Sequence, residues 1–150
     1  MDDKYFVPDV EDIRVGYECE VQDVIESIFF DGIITTKYSE SWKPLIITKQ
    51  YFTYYLELIA TGHLRTLYLT KEQIEAEEWK ADTYGPSADG PSFIKNEFYC
   101  QMLLPNSTYE LNSGLTFSPN LVIRTRSYIV FLGECKSINE FRYICKLLKI

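Results

Sequence analysis

Glu18 and Glu20 stand two apart in a stretch, Ile13 to Val24, where apolar and polar residues alternate. Period-two alternation marks a half-buried strand, with Val15, Tyr17, Cys19 and Val21 on one face and Arg14, Glu18, Glu20 and Gln22 on the other. Two carboxylates so placed lie about 7 Å apart by strand rise. That distance falls in the range of paired-carboxylate hydrolysis, and their oxygens also suit a divalent cation. A solvated strand face carries such acids in any half-exposed sheet, so the pair is a weak sign of catalysis. Glu134-Cys135-Lys136 has the spacing of the Glu-x-Lys half of a metal-dependent nuclease site, but no Asp follows Asp89 to supply the second carboxylate.

Other reactive groups are sparse. His63 is the one histidine, directly after Gly62, with no neighbour at HxH, HExxH or Cys-pair spacing, and it reads as an exposed loop residue. The phosphate-binding and nucleophile patterns GxGxxG, GxxxxGK[ST] and GxSxG are absent. Cys19, Cys100, Cys135 and Cys145 form no CxxC pair and no dense framework, so four reduced, mostly buried thiols are expected. Asn106-Ser107-Thr108 matches a glycosylation sequon of a kind that arises by chance. These patterns lead to an expectation of no catalytic residue, no metal site and no cofactor.

Aromatic content and charge point to binding instead. Of 150 residues, 12 are Tyr, 9 Phe and 2 Trp. Trp42, Tyr51, Tyr54 and Tyr55 crowd one short stretch, and Tyr84 falls in a Gly-Pro-rich segment; rigid, amphipathic Tyr and Trp anchor protein interfaces. The net charge of −7 is uneven: residues 1–31 hold ten acids against two bases, residues 120–150 six bases against two acids. Arg142, Lys146 and Lys149 share a helical face and, with Arg124 and Arg126, can meet phosphates, but the acidic N-terminal third repels a polyanion, so nucleic acid is not the expected partner. Glu72, Glu75 and Glu78, with the N-terminal acids, offer a second reading: an acidic mimic of nucleic acid that inhibits a host protein. The interaction candidates are therefore Trp42, Tyr51, Tyr54, Tyr84, Glu72, Glu75, Glu78, Arg142, Lys146 and Lys149.

The elements that must position these groups follow from pattern. Asp31-Gly32 lies between the β-formers Ile28-Phe29-Phe30 and Ile33-Ile34, which predicts a tight hairpin. Leu45 to Thr48 reads as a short strand, and Thr48 as the cap of a helix through Phe52, Tyr55, Leu56 and Ile59 that stops at Gly62. Leu64 to Leu69 is a strand; Thr70-Lys71-Glu72-Gln73 is a capping box opening a helix that runs to about Trp79. Lys80 to Ser92 is a long loop. Phe93 to Leu104, Tyr109 to Phe117 and Leu121 to Leu132 read as strands of an antiparallel set, and Ser137-Ile138-Asn139-Glu140 opens a last helix striped by Ile138, Phe141, Ile144, Cys145 and Leu148. The whole predicts one α+β domain over residues 1–150, a mainly antiparallel sheet with about three helices.

Three blocks, Phe6 to Glu20, Leu64 to Trp79 and Ile129 to Ile150, carry an acidic segment leading into Gly16-Tyr17-Glu18-Cys19-Glu20 and a strand, Gly133 and a capped basic helix at the end. In these the chain resembles small uncharacterised proteins encoded by gut bacteria and their phages. The resemblance implies a phage or mobile-element setting, a virion-associated or accessory protein, and assigns no activity. The sequence thus predicts a non-enzymatic protein-interaction module that binds a protein partner or associates with itself, with a metal-dependent hydrolase as a further alternative. The acidic start Met1-Asp2-Asp3-Lys4 and the short apolar runs predict no export signal and no membrane span, hence the host cytoplasm or a virion.

Overall fold

The computed structural model describes residues 4–83, 90–104, 109–110, 116–117 and 119–150. Tyr84, the sequon at Asn106 and residues 84–89 of the Lys80 to Ser92 segment lie outside them. The chain is α+β, and every strand pairing among the described residues is antiparallel. It gathers into two compact units, Met1–Tyr68 and Leu69–Ile150, each with its own hydrophobic core.

In the first unit, β1 (Tyr5–Phe6), β2 (Glu18–Phe30), β3 (Ile33–Ile46) and β4 (Leu64–Leu67) form a sheet in the order β1-β4-β2-β3, with α1 (Phe52–Ala60) between β3 and β4 in the chain. The hairpin at Asp31-Gly32 forms as predicted. Both residues have positive φ, 51° and 80°, the backbone that a tight two-residue turn between twisted strands demands. Its strands run much further than the pattern implied, and the separate strand expected at Leu45 is the end of β3. Val15 is exposed because the alternation is broken at Gly16, whose φ of 89° turns the chain before β2 begins. Thr48 makes no side-chain cap bond; a 3₁₀ turn over Lys49–Tyr51 leads into α1 instead. The far end of α1 is as expected: Gly62, at φ 74°, donates its N–H to Ile59 and the His63 N–H bonds the Leu58 carbonyl. Tyr17, Cys19, Val21, Ile47, Leu58 and Leu64 fill the core, and the Thr66 hydroxyl, buried with them, donates to the Glu18 carbonyl at 2.8 Å.

In the second unit, α2 (Lys71–Ala76) opens on the predicted capping box. The Gln73 N–H donates to Thr70 Oγ1, and the Thr70 N–H donates to Gln73 Oε1 at 3.0 Å. The helix ends at Ala76, short of Trp79, since Glu78 takes the left-handed conformation and turns Trp79 into the core against Phe141. The strands β5 (Lys80–Ala81), β6 (Ser92–Lys95), β7 (Phe98–Met102), β8 (Tyr109–Glu110), β9 (Thr116–Phe117), β10 (Leu121–Arg124) and β11 (Ile129–Gly133) follow. Five of them make a sheet in the order β11-β10-β7-β6-β5, and β8 pairs with β9. Each stretch predicted here as one strand is two strands. Asn96 at φ 55° turns β6 into β7, a conformation Asn tolerates, and Thr125 Oγ1 accepts the N–H groups of Ser127 and Tyr128 to close the turn from β10 to β11.

The last helix, α3 (Ile138–Leu148), begins where Ser137 Oγ accepts the Glu140 N–H, while Glu140 Oε2 reaches the Lys136 N–H at 2.6 Å. Its stripe of Ile138, Phe141 and Cys145 is buried, with Ile144 and Leu148 packed beside the same core. Full burial of a side chain such as Phe141 stabilises by about 1.5–3 kcal/mol. Among the described residues no helix is long and apolar enough to cross a membrane.

Candidate protein-interaction surface

The base of the β2–β3 hairpin carries a polar and aromatic face. Register places Arg65 opposite Glu20, and Trp42 opposite Gln22. The Arg65 guanidinium donates from Nε and Nη2 to Glu20 Oε2 at 2.9 and 2.8 Å, and lies 3.7 Å over the Tyr5 ring and 4.1 Å over the Trp42 ring. A charge held by a carboxylate and faced by two π-systems is fixed in place, so this group organises the sheet face rather than waiting for an anion. Glu20 Oε2 is thereby taken, and Oε1 accepts from the Tyr5 hydroxyl at 3.5 Å. Among the described residues no group of three or more His, Cys, Asp or Glu side chains is placed to hold a metal ion.

His63 is not the exposed loop residue the sequence predicted. Its Nδ1 lies 2.8 Å from Gln22 Oε1 and its ring stacks on Tyr38 at 3.5 Å, because β4 begins at the next residue and sets it beside β2. The four thiols are free and buried, as expected. Burial, and secondarily the Glu20 charge, pushes the Cys19 thiol up to about 12; burial pushes Cys145 up to about 11 and raises Cys100 and Cys135 as well. A thiol kept protonated is a poor nucleophile.

The sequence-predicted interaction residues are dispersed. Trp42 is half-buried on Arg65; Tyr51 and Tyr54 are exposed at the start of α1, Tyr54 with its ring 5.9 Å from Tyr55. In the second unit, Glu72 sits at the start of α2, where its own backbone N–H and the Thr70 hydroxyl lower its pKa. Glu75 pairs with Lys71 at 3.7 Å, and with Glu78 it lines an open cleft of about 810 Å³ floored by Trp79. Arg142 is held by Glu77 at 2.7 Å. Lys146 is exposed on α3, and Lys149, at φ 59°, is the left-handed residue that ends the helix rather than part of its basic face. Tyr84 is outside the described residues.

The most unusual surface was not among those candidates. Beyond Gln22 no other strand pairs with the hairpin among the described residues, and every residue from Val24 to Thr35 is exposed. Ile25, Ile28, Phe29, Phe30, Ile33 and Ile34 all lie in this stretch, Phe29 at 72% and Phe30 at 79% exposure. Directly opposed residues share a face, so Phe30 with Ile33 and Phe29 with Ile34 make both faces of the ribbon apolar. The signal was present in the sequence: the alternation that holds through Val21 is lost at Ile28-Phe29-Phe30, as in a strand covered on both sides. Comparison with models of known families, with curated proteins and with solved structures finds no match to this chain.

Proposed function

We propose that this chain is a protein-interaction module whose docking element is the distal half of the β2–β3 hairpin. One observation carries the reading: a two-stranded ribbon with exposed Ile and Phe on both faces. An isolated two-stranded ribbon is marginal in water, and contiguous exposed apolar surface on this scale marks a contact with another molecule. Each large apolar side chain removed from water there contributes about 1.5–3 kcal/mol before the costs of association. The chemistry inside the first unit is already committed, Glu20 to Arg65 and His63 to Gln22 and Tyr38, which favours binding over catalysis. The resemblance to small proteins of gut bacteria and their phages supports reading such a module as a virion-associated or accessory protein.

The test is capture of the tagged chain from cells that also carry an untagged copy, comparing the natural sequence with the variant Phe30→Asp/Ile33→Asp. Both positions are exposed, so the variant keeps its core. A stoichiometric protein retained by the natural chain and lost with the variant is the expected result. Equal captures would overturn the assignment of the ribbon.

A further inference from the structure

We infer that the ribbon's partner is a second copy of this chain, its ribbon lying antiparallel to the first about a two-fold axis between the levels of Phe29 and Ile28. This rests on the reading above and names the partner in it. The first argument is area. Five side chains between Ile28 and Ile34 are 52–79% exposed. At about 200 Å² for a fully exposed large side chain they present on the order of 700 Å², close to one partner's share of a standard interface. An identical ribbon supplies the other share.

The second argument is register. The ladder sets Phe30 opposite Ile33, Phe29 opposite Ile34, Ile28 opposite Thr35, Ser27 opposite Thr36 and Glu26 opposite Lys37. The apolar levels and the Ser27 level beneath them are thus bounded by exposed Asp31 at the turn and exposed Lys37 towards the base. A two-fold contact must be complementary to itself. With the axis between the Ile28 and Phe29 levels, Phe29 and Ile34 of each chain come level with Ile28 and Thr35 of the other, Phe30 and Ile33 with Ser27 and Thr36, and Asp31 with Lys37. The Lys37 ammonium, with three N–H donors, then lies between its own Glu26 and the incoming Asp31. Two-stranded ribbons twist strongly, so two that wind around each other cover side chains from both faces. A lipid surface fits less well, since Asp31 at the turn would lead the ribbon into the apolar layer.

Sedimentation of the purified full chain, from micromolar to several hundred micromolar, tests this. The expected result is a species of twice 17.6 kDa at high concentration. Phe30→Asp/Ile33→Asp is expected to weaken it by on the order of a hundredfold or more, with unchanged circular dichroism. Ile34→Cys, near the axis, is expected to oxidise to a covalent dimer, and Ile46→Cys, exposed at the base of β3, is not. A chain that stays monomeric throughout, a dimer that the double variant retains, or a monomer that pellets with phosphatidylcholine vesicles would each overturn the inference. A monomer whose ribbon still captures a different protein overturns only the second copy as partner; loss of both results overturns the interaction reading itself.

Discussion

At its base the β2–β3 hairpin sends Cys19 and Val21 into the core and Glu20 and Gln22 outward; towards its turn, Ile28, Phe29 and Phe30 follow one another and all are exposed. The backbone ladder is continuous between the two regions apart from register shifts near Val24. What differs is the neighbourhood. The base has β4 along its side and the core that includes Tyr55, Leu58 and Leu64 on one face, whereas no described strand pairs with the tip. Apolar composition states that a segment is to be covered, and topology decides whether its own unit can do it. The base is an ordinary half-buried sheet; the tip is an apolar surface that its own unit leaves bare.

The contrast can be broken most forcefully by core truncation. Leu58→Ala or Leu64→Ala is expected to cost about 2–5 kcal/mol in denaturant unfolding, whereas Phe29→Ala, in dilute monomer, is expected to stay within about 0.5 kcal/mol of the natural chain. A large loss at Phe29 would mean that the tip is packed after all. Next comes the base's outward face. Arg65→Ala removes two charge-assisted hydrogen bonds and both ring contacts, and about 1–3 kcal/mol of stability should go with them. Arg65→Lys should restore little, because an ammonium cannot form the planar stack.

Titration sharpens the same contrast. Cys19 has an ordinary value of 9.0 raised to about 12 by burial, so the folded chain disfavours its thiolate. Its contribution to stability is whole below about 9 and is lost as pH rises from there towards 12, and the unfolding midpoint should fall across that window. At pH 8 a thiol reagent should leave Cys19 untouched in the folded chain, yet react at once with Ile34→Cys at the tip. The smallest effect belongs to the turn. Gly32→Ala puts a Cβ on a residue at φ 80° with open space around it, so backbone strain alone, about 1–2 kcal/mol, should appear. Hydrogen exchange should then quicken in the distal ladder and leave the amides of Cys19 and Val21 unchanged.

Local chemistry was legible where one short segment contains the whole cause. The Asp31-Gly32 turn, the Thr70 to Gln73 box, the Ser137 cap and the Gly62 stop each needed only neighbouring residues. The Arg65 stack was not legible, since Tyr5, Glu20, Trp42 and Arg65 are brought together by four strands whose order no local pattern encodes. His63 was misplaced for the same reason: a residue after a helix stop looks like a loop until β4 is paired with β2. Exposure of the ribbon was hidden by a different ambiguity. An apolar run on both faces fits a strand sealed inside a protein as well as one bare to solvent, and the sequence of the run is identical in the two cases.

Pro44 occupies the edge strand β3 directly opposite Glu20, at the level where β4 also pairs. Proline brings no N–H, and the ladder to β2 tolerates it because edge strands take proline where the missing donor would face outward. The outer rim of β3 therefore has a gap in its row of donors at the base and no such gap between Ile33 and Ser41. An incoming strand that zips along this rim from the turn would run out of partners before it reached the core. In the language of assembly, Pro44 is a stop that limits how far another chain can add to this sheet, and so confines the proposed association to the ribbon.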